Sequence, residues 1–461
     1  MSSKDRPNII HLISHDMGRH LGCYGAGVAT PNYDRLAAMG VRFSNYFCTQ
    51  AGCSPSRGSI STGRYPHNNG LIGLAHIGWR IRDDVKKMPE YLNELGYRTH
   101  LIGQHHESNA DDMPGCKDPK LAAAKRLGYQ HVVKTTQIPG TSGSFIGNCY
   151  ETLNANIDEI MGPDSPFFIS IGTPGAHRKY VAWKNGVQYE PDNHNEVPVP
   201  PYLPDKQAIR LDIAHLNGLV KKEDEYLGQI LDLLEEKGLT ENTLFVVTTD
   251  HGIAMPRAKG TCFDPGLGTF LIMYMKGRAE GGKVHDELLS NVDLLPTYIE
   301  LAGGEPPADI DGRSFLALLD GKDYAKREDI FAEMTWHDGY DPVRSVRTER
   351  FKYMKNFGRR PRVYVPLDIY MSRSGAAMLE ECYYFTREPE ELYDLENDPL
   401  EQTNLAGDPA HAETLERLRT RVENWMQESD DPLLKGDVPP TDKQRKHDNR
   451  PYNNWSGPEF P

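Results

Sequence analysis

Apolar residues along the chain follow two periodicities. Apolar-rich runs of strand length occur at 7–14 (PNIIHLIS), 97–103 (YRTHLIG), 166–172 (PFFISIG) and 243–249 (TLFVVTT). They are rich in branched and aromatic residues, as strands buried on both faces are. Between them lie stretches whose apolar positions recur every three or four residues. The clearest covers 206–237, with Ile213, Leu216, Leu219, Leu227, Ile230, Leu231 and Leu234 on one face. Thr30 and Pro31 supply a cap and a first-turn proline for a shorter helix ending near Gly40. Strands separated by helical stretches predict an α/β fold, with a mostly parallel sheet covered by helices on both faces.

The texture changes near residue 340. RSVRTE and FKYMKNF read as short strands, ELYDLENDPLEQTNLA as a polar connection and 409–428 as a helix. The chain is therefore expected to divide into a catalytic α/β domain over 1–340 and a smaller C-terminal α+β subdomain over 341–461. The segment from 432 to the end, rich in Pro, Asp, Lys and Asn, is expected to wrap the surface or to lack fixed structure.

Composition narrows the function classes. With 461 residues, 38% of them hydrophobic and 26% charged, the chain can bury a large core, with room for a smaller one. No apolar run reaches the about 18 residues that a membrane span needs. The start, MSSKDRPNII, passes from a short polar lead straight into the first strand, so a cytoplasmic location is expected; a periplasmic or secreted one follows if a leader was removed. A formal charge of −14 argues against general affinity for nucleic acid. The seven cysteines are odd in number, scattered and free of any CxxC pair, which argues against a disulfide framework and a structural zinc site.

Polar groups gather where the strands end. His15-Asp16 follows the first strand and Asp250-His251-Gly252 follows TLFVVTT. If those strands are neighbours, two carboxylates and two imidazoles meet at one edge, a donor set for a divalent cation. Each pair alone also fits a capping Asp beside a surface His. Cys53-Ser54-Pro55-Ser56-Arg57 places a cysteine at an expected helix start, which lowers its pKa, with an arginine one turn later to hold an anion. The same run fits a structural cysteine at a helix terminus. Gln104-His105-His106, His177 and Lys259 sit in turns beyond strands, where cationic donors suit an anionic substrate.

The run CSPSRGSISTG resembles the signature of the type I sulfatases, with Cys53, Pro55 and Arg57 in its three required positions. The resemblance continues in RPNIIHLISHDMGRHLGCYG, TPNYDRLAAMGVRFSNYF, TTDHG and ELYDLENDPLEQTNLA. YPHNNGLIGL, DHGIAMPRAKG and VRSVRTERFKYMKNF bring the chain nearest the sulfamidase (heparan N-sulfatase) branch. It implies an alkaline-phosphatase-like fold and hydrolysis of a sulfate ester or sulfamate of a sulfated carbohydrate. It also implies that Cys53 is converted to formylglycine by a formylglycine-generating enzyme. His15, Asp16, Asp250, His251 and residue 53 match metal-ligand positions; calcium is the family's usual ion. Arg57, His106, His177 and Lys259 match catalytic positions, and Arg57, Gln104, His177 and Lys259 positions that bind substrate. A homo-oligomer is compatible with this reading.

Three departures from the family pattern bear on the anion pocket. His15 stands where many sulfatases have an aspartate, which shifts the donor set toward manganese or zinc. Gln104 replaces a lysine. Gly172 aligns with a histidine, while His177 lies one residue further on than expected. The alternatives are a phosphonate monoester or phosphodiester hydrolase of the same superfamily and a non-catalytic sulfated-glycan binder. Glu333, His337 and Arg344 are the expected substrate contacts from the C-terminal part.

Overall fold

The computed structural model describes residues 6–113, 115–135, 145–162, 164–180, 183–184, 187–359 and 361–447. The apolar runs become β1 (Asn8–Ser14), β3 (Arg98–Gly103), β5 (Phe167–Gly172) and β6 (Thr243–Thr249). With β2 (Val41–Phe43), β4 (His131–Val133), β7 (Leu271–Tyr274) and β8 (Lys283–His285) they form one sheet in the order β8-β2-β7-β6-β1-β5-β3-β4. The pairings are parallel except those of β7 with β2 and β6, so β7 alone runs against the rest.

Alternation along the strands explains why both faces are covered. Ile10 and Leu12 of β1, Ile169 and Ile171 of β5 and Val247 of β6 point to one side, against α1 (Pro31–Met39), α3 (Ile146–Met161) and α4 (Gln207–Glu236). Ile9 and Ile13, Phe168, Leu244 and Val246 point to the other, where α2 (Cys53–Thr62) and α5 (Leu294–Leu301) contribute Ile60, Leu295 and Tyr298. Period-two side chains on a strand allow no other arrangement once the strand is central.

The C-terminal sheet is antiparallel, in the order β9 (Asp329–Trp336), β10 (Tyr340–Thr348), β11 (Phe351–Asn356) and β12 (Glu390–Asp394). Its first strand precedes residue 340. One face, with Val346, Tyr353 and Leu392, packs on Leu418, Val422 and Trp425 of α8 (Ala412–Glu428). The other face, with Ile330, Ala332, Met334, Val343 and Met354, joins the core of the large sheet. Between β11 and β12 lie the short α6 (Leu367–Tyr370) and α7 (Arg373–Tyr383), which packs on α4. Of the terminal segment, residues up to 447 lie on the surface of the fold, with buried Gln444 accepting a hydrogen bond from Trp79 Nε1 (3.2 Å); 448–461 lie outside the described residues. Among the described residues, no helix is long and apolar enough to cross a membrane.

Candidate active site

The site is built by strand ends. β1 lies between β5 and β6, with Ile13 beside Gly172 and Ser14 beside Thr249, and Gly103 of β3 is level with Gly172. The residues that follow each strand therefore emerge at one edge, where ligands bind in open α/β sheets. His15-Asp16, Asp250-His251, Gln104-His105-His106 and the turn to His177 all start there. Asp16 turns back on the sheet with φ of 56°, a left-handed conformation unusual for aspartate. Its N–H donates to Asp250 Oδ1 (3.0 Å), tying its backbone to that carboxylate.

α2 aims its first residue at this edge. Gly52 precedes it in extended conformation and Gly63 ends it at φ 64°, with its N–H on Ser59 O. Ser56 Oγ donates to Asp250 O (2.5 Å) and accepts from Asn291 Nδ2 (3.0 Å), pinning the helix to β6. Arg57 Nε donates to Asp250 Oδ2 (3.0 Å) and its Nη2 to Ser14 O (3.0 Å). Cys53 stays at the N-terminal end, where unpaired amides and the helix dipole favour negative charge.

His15, Asp16, Cys53 and His251 are all buried, with one ligand atom from each lying within 4.8 Å of the others. His15 Nδ1 is 2.5 Å from Asp16 Oδ1 and 3.5 Å from Asp250 Oδ2. His251 Nε2 lies 3.1 Å from Asp16 Oδ1 yet makes no aligned hydrogen bond, while its Nδ1 is held by Gly252 O at 2.9 Å. A buried nitrogen left this way, facing two carboxylates and a second imidazole, fits a divalent cation among Asp16, Asp250, His251 and His15. Burial depresses the His15 pKa, but Asp250 and Asp16 outweigh it and lift it to about 9. Burial also raises the Cys53 thiol, yet His15 and Lys259 overcome that and hold it well below its usual value.

Above the cluster opens a cavity of about 810 Å³ lined by Cys53, His106, His177, Lys259, His337 and Asp368, among others. His106 and Cys53 both line it, and His106 Nδ1 lies 3.2 Å from His15 Nε2. Lys259 Nζ bridges Asp16 Oδ2 (2.9 Å) and Asp368 Oδ2 (2.8 Å). His177 Nδ1 donates to Arg178 O (2.5 Å), leaving Nε2 for the cavity; burial and then Lys259 push its pKa down to about 3. Exposed Lys179 and half-exposed Arg373 stand at the rim.

Three expected substrate contacts are placed elsewhere. Gln104 is half-buried and does not line this cavity. Its carbonyl leaves no room for a side chain at 172, since a methyl on Gly172 would come within 1.7 Å of Gln104 O. Glu333 and Arg344 are fully buried in an ion network: His67 N donates to Glu333 Oε1 (2.9 Å), and Arg344 Nη2 donates to Asp431 Oδ1 (3.0 Å). Charges inside a strand pair can neutralise one another across the fold, which a reading of the strand alone does not reveal. His337 does line the cavity. Burial depresses it, but Asp338 and Cys53 outweigh that and lift it to about 9. Sequence reasoning missed Asp368, a lone carboxylate in the apolar VPLDIY, and Asp338, whose Asp-Gly pair between strand-like runs is a hairpin signal.

Comparison with known families matches the description "Sulfatase" to residues 7–304 and "N-sulphoglucosamine sulphohydrolase, C-terminal" to 257–369. An ulvan-active sulfatase of Formosa agariphila is 30% identical over 445 residues, covering 93% of this chain and 82% of that one. Human N-sulphoglucosamine sulphohydrolase is 27% identical, covering 93% of this chain and 91% of its own. Among solved structures, a phosphonate monoester hydrolase from Silicibacter pomeroyi superposes with a TM-score of 0.70 at 20% identity, covering 93% and 97% of the two chains. That likeness shows the alkaline-phosphatase-like fold.

Proposed function

The chain belongs to the sulfatase family and is a sulfuric ester hydrolase; from that premise we propose that it removes a sulfate or sulfamate group from a sulfated carbohydrate through residue 53. One observation carries the reading. Cys53, at the start of a buried helix, meets the His15, Asp16, Asp250 and His251 donor set and Lys259 beneath a single open cavity.

His15, Asp16, Asp250 and His251 would hold a divalent ion beside a formylglycine made from Cys53, and together these groups would supply an acidified hydroxyl as the nucleophile toward sulfur. The surrounding side chains do the rest. Arg57 holds Asp250 in place and adds positive charge beneath residue 53. Lys259 reaches the cavity between its two carboxylates, where it offers Nζ–H groups to a sulfate oxygen. His106, which lines the cavity with residue 53, would take a proton from a hydroxyl held there. His177 stands over the opposite side of the cluster, its ring centroid 4.6 Å from that of His15, and serves the leaving group. An incoming sulfate, opposite in sign to Lys259, favours the protonated ring that this step needs.

Calcium is the ion expected by family, while the two imidazoles favour manganese or zinc. Cys53 and Arg57 are buried in the folded chain, so a formylglycine-generating enzyme has to meet this segment before folding is complete. The test is a desulfation screen over N-, 2-O-, 3-O- and 6-O-sulfated mono- and oligosaccharides, with calcium, manganese and zinc compared after chelation. At least one sulfated sugar is expected to release sulfate faster than a matched phosphodiester is cleaved. The imidazole-rich donor set favours the phosphodiester or phosphonate alternative, and a phosphodiester rate higher by orders of magnitude would establish it instead.

A further inference from the structure

The β9–β10 hairpin closes at His337-Asp338-Gly339, and this turn reaches into the wall of the cavity. Several segments clamp it. His337 N donates to Gly339 O (3.0 Å), Gly339 N to Tyr364 Oη (2.9 Å), and Gln444 Nε2 to Asp338 O (3.0 Å). Gln50 Nε2 holds the carbonyl of Trp336 just before it (3.0 Å). The Asp338 carboxylate accepts from Tyr364 Oη and from Leu367 N, and lies 3.3 Å from His337 Nδ1. With Nδ1 turned to that carboxylate, Nε2 becomes the working end of the ring. It is buried, makes no aligned hydrogen bond among the described residues and faces residue 53 at the start of α2. A methyl on Gly52 would come within 3.2 Å of the adjacent Cδ2.

The other cations around residue 53 already hold protein oxygens, which leaves Lys259 one of its three N–H groups for a sulfate. Lys259 sits between Asp16 and Asp368, and Arg57 is held by Asp250 and Ser14 O. Gln104 offers no donor at this wall. A buried nitrogen without a partner costs free energy in the empty protein and recovers it when a ligand supplies the missing acceptor. An imidazole flanked by a carboxylate at Nδ1 and an anion at Nε2 donates from both nitrogens.

We propose that His337 is a further catalytic residue of this chain, whose Nε2 binds a non-bridging oxygen of the sulfate at residue 53, with Asp338 as its positioning residue. This rests on the reading that sulfate is handled at residue 53. The C-terminal hairpin thereby completes an anion site that the large sheet alone leaves open on one side.

Calorimetric titration of the full-length, metal-loaded protein with inorganic sulfate tests it directly. Wild type is expected to bind, and His337→Gln to bind at least tenfold more weakly, with an unchanged thermal midpoint and unchanged formylglycine content. His337→Asn serves as a second variant should the first fail to fold. Asp338→Asn is expected to weaken sulfate in wild type and to add little in the His337→Gln background, which a purely structural role would not produce. Equal sulfate affinity of wild type and the folded His337 variants overturns the proposal, as does absence of sulfate binding by wild type. Failure of the functional reading is distinguishable: wild type then binds sulfate through His337 yet releases none from any sulfated sugar.

Discussion

Arg57 shows how one side chain can serve both fold and chemistry. Its guanidinium is 2% exposed and pairs with a fully buried Asp250. Removing one partner of a buried ion pair leaves the other charge uncompensated, at a cost of about 3–5 kcal/mol. Arg57→Met is therefore expected to lower stability by that order as well as to abolish activity, measured by chemical denaturation; an unchanged midpoint would show that Asp250 finds another partner. Cys53, Pro55 and Arg57 were legible in the sequence because they are contiguous on one helix. His337 was among the expected substrate contacts, whereas Asp338 and Asp368 were not legible as neighbours of the site, since they come from a hairpin turn and a short helix more than 280 residues further on and reach the cavity only through tertiary packing. Glu333 and Arg344 looked functional because they are charged within strand-like runs, and are instead paired in the interior.

At the scale of elements, the strand runs and the long α4 followed from hydrophobic period alone, to within one residue at most boundaries. β9 did not, because its DIFAEMTW pattern mixes buried charge with apolar residues. The seam between β11 and the large domain carries its own titration. Lys352 Nζ lies 2.5 Å from Asp264 Oδ1 and 2.7 Å from Glu401 Oε1, so two carboxylates share one ammonium. Burial outweighs Lys352 and lifts Glu401 from 4.5 to about 7. Between these values the folded chain holds a proton that the unfolded chain has lost, so this group makes stability fall as pH rises from 4.5 to about 7. Glu401→Gln is expected to flatten that part of the pH profile, read as the difference in thermal midpoint between wild type and variant at pH 5 and pH 7.5. Parallel profiles would mean that Glu401 is ionised throughout.

For the whole molecule, the two sheets are not independent. The inner face of the C-terminal sheet, with Ile330, Ala332, Met334, Val343 and Met354, is continuous with the core around β1 and α4. Arg178 of the large domain reaches Asp212 (2.9 Å) and Ser374 (2.8 Å), tying the cavity wall to α7. A chain ending at residue 340 would keep β9 without its partner β10 and expose that apolar face. It is expected to aggregate on expression, whereas a soluble fragment with cooperative unfolding would mark 1–340 as a self-sufficient domain. The change in sequence pattern near residue 340 suggests that boundary, although the first strand of the second sheet, β9, begins at Asp329. The proposed chemistry passes through residue 53, and the mass of the peptide containing it, taken from active protein, is the decisive measurement. Conversion to formylglycine lowers that mass by about 18 Da, with Cys48 intact as an internal reference; active protein whose Cys53 remains an unmodified thiol would contradict it.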